Sequence, residues 1–373
     1  MNRIVFTGGG TGGHIYPGLA VVDELKKITD ADIVWIGSSA GIDRSIVENH
    51  GLPFFGIPSG KLRRYFSLRN FIDIFKIVAG FFSAFALLLK LRPSVVFSKG
   101  GFVSVPPCLA ARVLGIPVIT HECDFSPGLA TKINSRFATR ILVSYEKTAD
   151  FFSGKIRSRV SVTGNPVRGA FYAASAERGR AFLGCGNDVP VVMVQGGSLG
   201  ARQVNDLIAG CLGELCARCV VVHQTGEQNV DQVIRPGDSA VAGRYKPYPF
   251  IRAEMPDVVA AADIVIARSG ANTVWECAAA GKPMVLVPLE KGSSRGDQVE
   301  NARFFVSRGA AVMLTGPDAT PEKLVAAVFS ILDSERLKRD MAANALALGS
   351  SRPAEAIAAI VDACARAKKG ERK

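Results

Sequence analysis

The stretch IVFTGGGTGGHIYPGLAVVDEL, residues 4–25, sets the reading of the whole chain. An apolar run, I-V-F-T, is followed by a glycine turn, and then Leu19, Val22 and Leu25 recur at helical spacing. Strand, glycine turn and helix in that order open a parallel α/β unit. The same plan returns in VVMVQGGSLGARQVNDLI, residues 191–208. A second correspondence follows in step: VVFSKGG (95–101), a helical stretch and GIPVITHE (115–122) match IVIARSG (264–270), a helical stretch and GKPMVLVP (281–288). Two matches in one order predict two doubly wound parallel-sheet domains in tandem. Gly and Pro in TGNPVRG (163–169) mark the join, which places the domains at residues 1–166 and 167–353. Thr320-Pro321-Glu322 reads as a capped helix start. A last helix follows Pro353, with Ile357, Ile360, Val361 and Cys364 on one face.

A chain of 373 residues is long enough for two cores, and a net charge of +12 points to a negatively charged partner. The N-terminus enters a strand with no secretory h-region, and the thirteen residues between Lys76 and Lys90 form the longest charge-free apolar run of note. A spanning helix needs roughly 20, so a cytoplasmic chain that does not cross a membrane is expected. The eight cysteines are then reduced thiols. Cys211, Cys216 and Cys219 have an iron–sulfur-like spacing. However, Cys211 falls in helical register with Val204, Leu207, Ile208, Leu212 and Leu215, which puts it on a core face.

Gly8-x-Gly10-x-x-Gly13 satisfies the dinucleotide pattern, but a nicotinamide site also wants a carboxylate at the end of the second strand. DIVWIGSS ends there in Gly37, Ser38 and Ser39 instead. What remains is a loop whose amides favour anions, followed by His14 at the ligand-binding end of the first strand. His14 is either a helix-start histidine bonded to backbone or a functional group. Gly196-x-Ser198-x-Gly200 mimics a nucleophile elbow, yet the one later histidine, His223, lies on the very next strand, too early for a hydrolase triad. Ser198 better suits a phosphate contact or a helix cap. In ARSGANTVWECAAAG (267–281) a helix is expected near Thr273. Glu276 there either completes a capping box with Thr273 or accepts ribose hydroxyls beside a diphosphate held by amides. Asp30-Ala31-Asp32 lies at the amino end of a strand and reads as a solvated turn, so no metal is required.

Residues 60–92 stand apart. They carry seven Lys/Arg against Asp73 alone, and six of the 21 phenylalanines. Three readings apply: a helix lying on an anionic bilayer, an ordinary core helix behind a basic loop, or a nucleic-acid surface. The first fits best.

GGGTGGHIYPG, KGGFVSVP, HECDFSPGL, TGNPVR, QGGSLGA and RSGANTVWE, in this order, resemble the MurG-type N-acetylglucosaminyltransferases of peptidoglycan synthesis across nearly the whole chain. The resemblance implies a GT-B fold: two Rossmann-like domains facing each other across a cleft, with the final helix (354–373) packed back on the first domain. It implies transfer of N-acetylglucosamine from UDP-N-acetylglucosamine to undecaprenyl-pyrophosphoryl-N-acetylmuramyl-pentapeptide at the cytoplasmic membrane face. No metal, cofactor or nucleic acid is implied. Carried over by position, Arg168 and Ser198 meet the donor's phosphates and Ile251 meets the uracil through its backbone. Ala271, Asn272, Thr273 and Val274 supply helix-start amides, Glu276 holds the ribose, and Gln298 the sugar, joined by Thr11, Gly12 and Gly13.

HECD stands where HEQN is usual, so Asp124 replaces an asparagine that contacts the donor sugar. Asn272, Trp275 and GDQ (296–298) are also variants. Inversion at the sugar requires a base for the acceptor hydroxyl. His14 is the expected base, Asp124 its rival and Glu122 a third. The competing expectations are a related enzyme with a diacylglycerol acceptor and a two-lobed solute-binding protein.

Overall fold

The computed structural model describes residues 2–60, 68–197, 200–227, 239–289 and 296–370. Among these, the chain forms two compact units, one of residues 1–168 with 352–373, the other of residues 169–351.

In the first unit seven strands form one parallel sheet: β1 (Arg3–Thr7), β2 (Asp32–Ser38), β3 (Phe54–Ile57), β4 (Val95–Ser98), β5 (Val118–Glu122), β6 (Arg140–Val143) and β7 (Val160–Val162). Their order, β3-β2-β1-β4-β5-β6-β7, reverses direction between β1 and β4, where Thr7 pairs with Ser98. Ligands bind such sheets outside the carboxyl ends of the strands at that reversal. The strands read as near-continuous apolar runs because both faces are covered. On one face Phe6 packs between Trp35 and Phe97, with ring centroids 5.8 and 5.0 Å away. The helix Gly12–Ile28 and the last helix, Pro353–Gly370, close this face, the latter through Ile357, Ala358, Val361 and Ala365.

The second unit repeats the plan with β8 (Val191–Gln195), β9 (Val220–Gln224), β10 (Tyr245–Tyr248), β11 (Ile264–Ala267), β12 (Met284–Leu286) and β13 (Ala311–Met313). The order β10-β9-β8-β11-β12-β13 is again all parallel, and it reverses between β8 and β11. The helix Arg202–Arg218 buries Val204, Leu207, Ile208, Cys211, Leu212 and Leu215 on the sheet. Burial pushes the Cys211 thiol up to about 12, and those of Cys216 and Cys219 to about 11. All three lie buried among the apolar side chains of this core. Thr320 caps the helix Pro321–Leu332 by accepting the Lys323 N–H at 3.3 Å.

The apolar run in the first unit is longer than its charge-free core indicated. It forms one helix, Leu68–Leu91, of which Asp73–Leu91 has the length and hydropathy of a membrane span. One side of it is seated in the unit: Ala84 and Leu88 lie in the core, and Gly80 is so close to the Pro58 carbonyl that a Cβ would sit 2.3 Å from it. The other side exposes Ile74, Phe75, Val78, Phe82 and Leu89, with Phe75 68% and Phe82 64% accessible. The helix is therefore held by its own unit along one face and leaves its opposite, apolar face uncovered among the described residues. Residues 61–67 of the basic approach lie outside the described residues.

Candidate functional site

In the first unit the glycine turn is held at three points. The Trp35 indole N–H donates to the Gly8 carbonyl at 3.0 Å. The Gly10 N–H donates to both oxygens of Asp43, at 2.9 and 3.2 Å. Gly9 lies so close to that carboxylate that a Cβ would fall 1.9 Å from Oδ2, so a side chain there would displace the carboxylate. Asp43 opens the short helix Asp43–Asn49, is fully buried, and also accepts the Ser38 N–H at 3.0 Å. Burial raises its carboxyl, and the Ser38 and Gly10 amides oppose that rise. The acidic residue missing from the end of β2 therefore arrives five residues after Ser38, and it points at the glycine turn. The loop's first anion is internal.

Thr11, Gly12, Gly13 and His14 follow at the start of the helix Gly12–Ile28, where the His14 N–H donates to the Thr11 carbonyl at 3.1 Å. The His14 ring lies against the second glycine turn. A Cβ on Gly101 would meet His14 Cδ2 at 2.9 Å and the Gly9 carbonyl at 2.7 Å. Gly101 has φ +77, which suits glycine alone on both counts. The sequence Lys99-Gly100-Gly101 thus gives His14 its floor.

Two buried groups at this end of the sheet were not singled out from the sequence. The Lys99 ammonium is 1% accessible and has no hydrogen-bond partner among the described residues. Beside it, His121 is fully buried, and its Nε2–H donates to the Gly164 carbonyl at 2.9 Å. Burial first, and the Lys99 charge second, hold this imidazole well below its usual range, so it stays neutral. Glu122 accepts the Asp124 N–H at 3.1 Å on one oxygen and the Gly128 N–H at 2.9 Å on the other. Its carboxylate shapes the turn that carries Asp124. Glu122, Cys123 and Asp124 have ligand atoms within 4.8 Å of one another, but those backbone bonds already explain the Glu122 oxygens. The Arg168 guanidinium sits 5.6 Å over the Tyr16 ring, in this first unit and one turn from Gly12.

In the second unit Ser198 lies outside the described residues. Its loop is fastened by Gln224, which is buried at the end of β9. Gln224 Nε2 donates to the Gly197 carbonyl at 3.4 Å, and Oε1 accepts the Ile251 N–H at 2.9 Å. A neutral network lies beneath: His223 joins the Tyr245 hydroxyl (3.0 Å) and Asn205 Oδ1 (3.0 Å), while Asn205 Nδ2 donates to the Thr225 carbonyl at 3.1 Å. Burial lowers His223 to about 4.

The helix carrying Ala271, Asn272, Thr273, Val274 and Glu276 runs Ala271–Ala279, two residues earlier than expected. Gly270, in an extended conformation, occupies the capping position, so Thr273 lies inside the first turn and the capping-box reading of Glu276 is set aside. The Val274 N–H already donates to the Gly270 carbonyl at 3.2 Å. The first amides of a helix have no partner within the helix itself. Gln298, on the helix Asp297–Ser307, braces this turn. Its backbone carbonyl accepts the Ser269 hydroxyl at 2.7 Å, and its Oε1 accepts the Leu289 N–H at 3.0 Å and Arg268 Nε at 3.4 Å. Asp32, from the Asp30-Ala31-Asp32 pair, forms an ion pair with Arg3 at 2.6 Å.

Residues 4–143 match the glycosyltransferase family 28 N-terminal domain, and residues 191–358 match its C-terminal domain. The chain is 56% identical to a Treponema denticola protein, with 96% of each chain covered. A Treponema pallidum protein is 53% identical, covering 86% of this chain and 85% of the relative. Both carry the name UDP-N-acetylglucosamine–N-acetylmuramyl-(pentapeptide) pyrophosphoryl-undecaprenol N-acetylglucosamine transferase. Among solved structures, Acinetobacter baumannii MurG is 26% identical with a TM-score of 0.73, covering 97% of this chain and 99% of that one. A putative UDP-N-acetylglucosamine 2-epimerase from Listeria monocytogenes shares the fold at 13% identity and TM-score 0.69.

Proposed function

The chain belongs to glycosyltransferase family 28, and from that membership we infer the reaction it performs. It transfers N-acetylglucosamine from UDP-N-acetylglucosamine to the N-acetylmuramyl-pentapeptide carried on pyrophosphoryl-undecaprenol, turning lipid I into lipid II in peptidoglycan synthesis. The relatives named for this reaction leave the diacylglycerol acceptor without support.

The chemistry divides between the two units. The acceptor 4-hydroxyl attacks the anomeric carbon, its proton passes to a base, and the sugar–phosphate bond breaks to release UDP. His14 is the base, because neutral imidazole accepts a proton at pH 7. The observation that carries this choice is the His14 ring resting on Gly101 at the carboxyl ends of β1 and β4. Asp124 is the second candidate, whereas both oxygens of Glu122 are engaged by backbone amides. Lys99 makes this end of the sheet electropositive, which suits an acceptor bearing pyrophosphate.

On the donor side, amides at Ala271, Asn272 and Thr273, with Ser198 and Arg168, stabilise the leaving diphosphate. Glu276 accepts the ribose hydroxyls, and Ile251 reads the uracil through its backbone. Gln298 and Asp124, with Thr11, Gly12 and Gly13, contact the sugar. The exposed face of the helix Leu68–Leu91, with Lys76 and Lys90 beside it, docks on an anionic membrane where the lipid acceptor resides. Incubation of the purified chain with radiolabelled UDP-N-acetylglucosamine and either a lipid I analogue or diacylglycerol tests the assignment. Label is expected in the lipid I product alone. Label in diacylglycerol, or no transfer with either acceptor, overturns it.

A further inference from the structure

A buried carboxylate with no ion pair among the described residues calls for a physical account. Asp43 is fully buried, and among the described residues no ion pair reaches it. Ionised carboxylates are rarely buried on those terms, because desolvation is costly unless hydrogen bonds replace water. The bonds that replace water here are the amides of Gly10 and Ser38. One belongs to the loop after β1 and the other to the end of β2, so the carboxylate stitches two neighbouring strand ends together.

The contact is closer than hydrogen bonding alone requires. Gly9 has no room for a methyl group against Oδ2, and Gly10 takes φ +84, a conformation that glycine adopts freely. The backbone of this loop therefore rides directly on the carboxylate. It enters the helix that begins at Gly12, and His14 is its third residue. From the other side Trp35 holds the Gly8 carbonyl. The path from Asp43 to the imidazole is four residues of backbone.

In phosphate-binding loops of this architecture the glycine amides wait for an external anion. Here the Gly10 amide has been given one permanently. We propose that Asp43 is a positioning residue, an internal anion that fixes the first glycine loop in the shape that seats His14. It acts through backbone and does not touch substrate. The inference deepens the reading of His14 as base and rests on it.

Asp43→Asn tests the inference, because an asparagine of the same size presents an N–H₂ to one of the two backbone donors. The expected result is a fall in kcat of about 10²-fold, the cost of a base displaced by a fraction of an ångström to one ångström. Affinity for UDP, which lacks the sugar, should stay within about threefold of wild type by calorimetry, since the nucleotide contacts assigned to the second unit are untouched. Unchanged kcat overturns the proposal. So does a fall in kcat, donor affinity and melting temperature together, which would mark a general structural role.

Hydrogen exchange at the Gly10 amide, read by NMR of glycine-labelled wild type, supplies a measure that needs neither turnover nor a folded variant. Slow exchange at this exposed position is expected, and exchange at the unprotected rate overturns the proposal. If wild type shows slow exchange but no transfer to lipid I, the assigned reaction has failed while the Asp43 brace stands.

Discussion

The loops after β1 and after β8 share a plan of strand, glycine turn and helix, but they are held in opposite ways. The first is braced by a carboxylate that takes the Gly10 amide. The second is braced by a neutral amide, Gln224, which donates to the Gly197 carbonyl and accepts from Ile251. The difference follows from electrostatics. An internal negative charge repels a second anion from the same amides, whereas a neutral brace leaves the positive helix start available to a diphosphate. One loop thus suits a fixed side chain, and the other suits a charged ligand. The connections differ in the same spirit. Between β3 and β4 runs the helix Leu68–Leu91 with its apolar outer face, while between β10 and β11 there is only the short helix Met255–Ala261, mostly buried.

The most severe test of that division is His14→Ala. Transfer to lipid I should fall by ~10²-fold or more, with UDP binding measured calorimetrically unchanged. If UDP binding falls in parallel with turnover, the first loop holds the nucleotide itself and the contrast collapses. A second test addresses the neutral network under the second loop. His223 titrates at about 4 when folded, against ~6.5 when unfolded, so the unfolded chain takes up its proton first as the pH drops. Its contribution is complete above pH ~6.5 and is lost toward pH 4, for a total of about 3 kcal/mol. Urea unfolding at pH 7 and pH 4.5 should show this loss in wild type and much less of it in His223→Gln. Equal pH dependence in the two proteins would exclude His223 as a source.

Gln224→Glu makes the second loop resemble the first. A carboxylate there should raise KM for UDP-N-acetylglucosamine by about tenfold while kcat changes little. A normal KM would show that the charge of the brace is irrelevant. The smallest effect is expected from Phe75→Ser with Phe82→Ser. Two rings withheld from the bilayer should lower vesicle binding several-fold to about tenfold in co-sedimentation on anionic vesicles. Turnover of a water-soluble acceptor analogue should remain normal. Unaltered vesicle binding would place the membrane contact elsewhere.

Much of the architecture was legible because it is written in short-range pattern. Apolar runs that end in glycine turns recur at residues 4–13 and 191–200, and these are the central strands of the two sheets. The last helix buries Ile357 and Val361 as its periodicity indicated. The start of the helix at Ala271 was less legible: Thr273-x-x-Glu276 has the letters of a capping box, but Gly270 adopts the extended conformation that begins the helix earlier. Asp43 was missed because an acid was sought at the last residue of β2, where a ribose would meet it. Nothing local shows that a residue on the following helix folds back to Gly10, 33 positions away.

The sequence by itself determined the strands, the helices, the tandem repeat and the family, since periodicity, glycine turns and motif order depend on neighbours along the chain. Only the tertiary structure decided what each glycine loop already holds. Asp43 and Gln224 acquire their partners through space, where burial makes each unmet charge or amide costly and so selects its contacts.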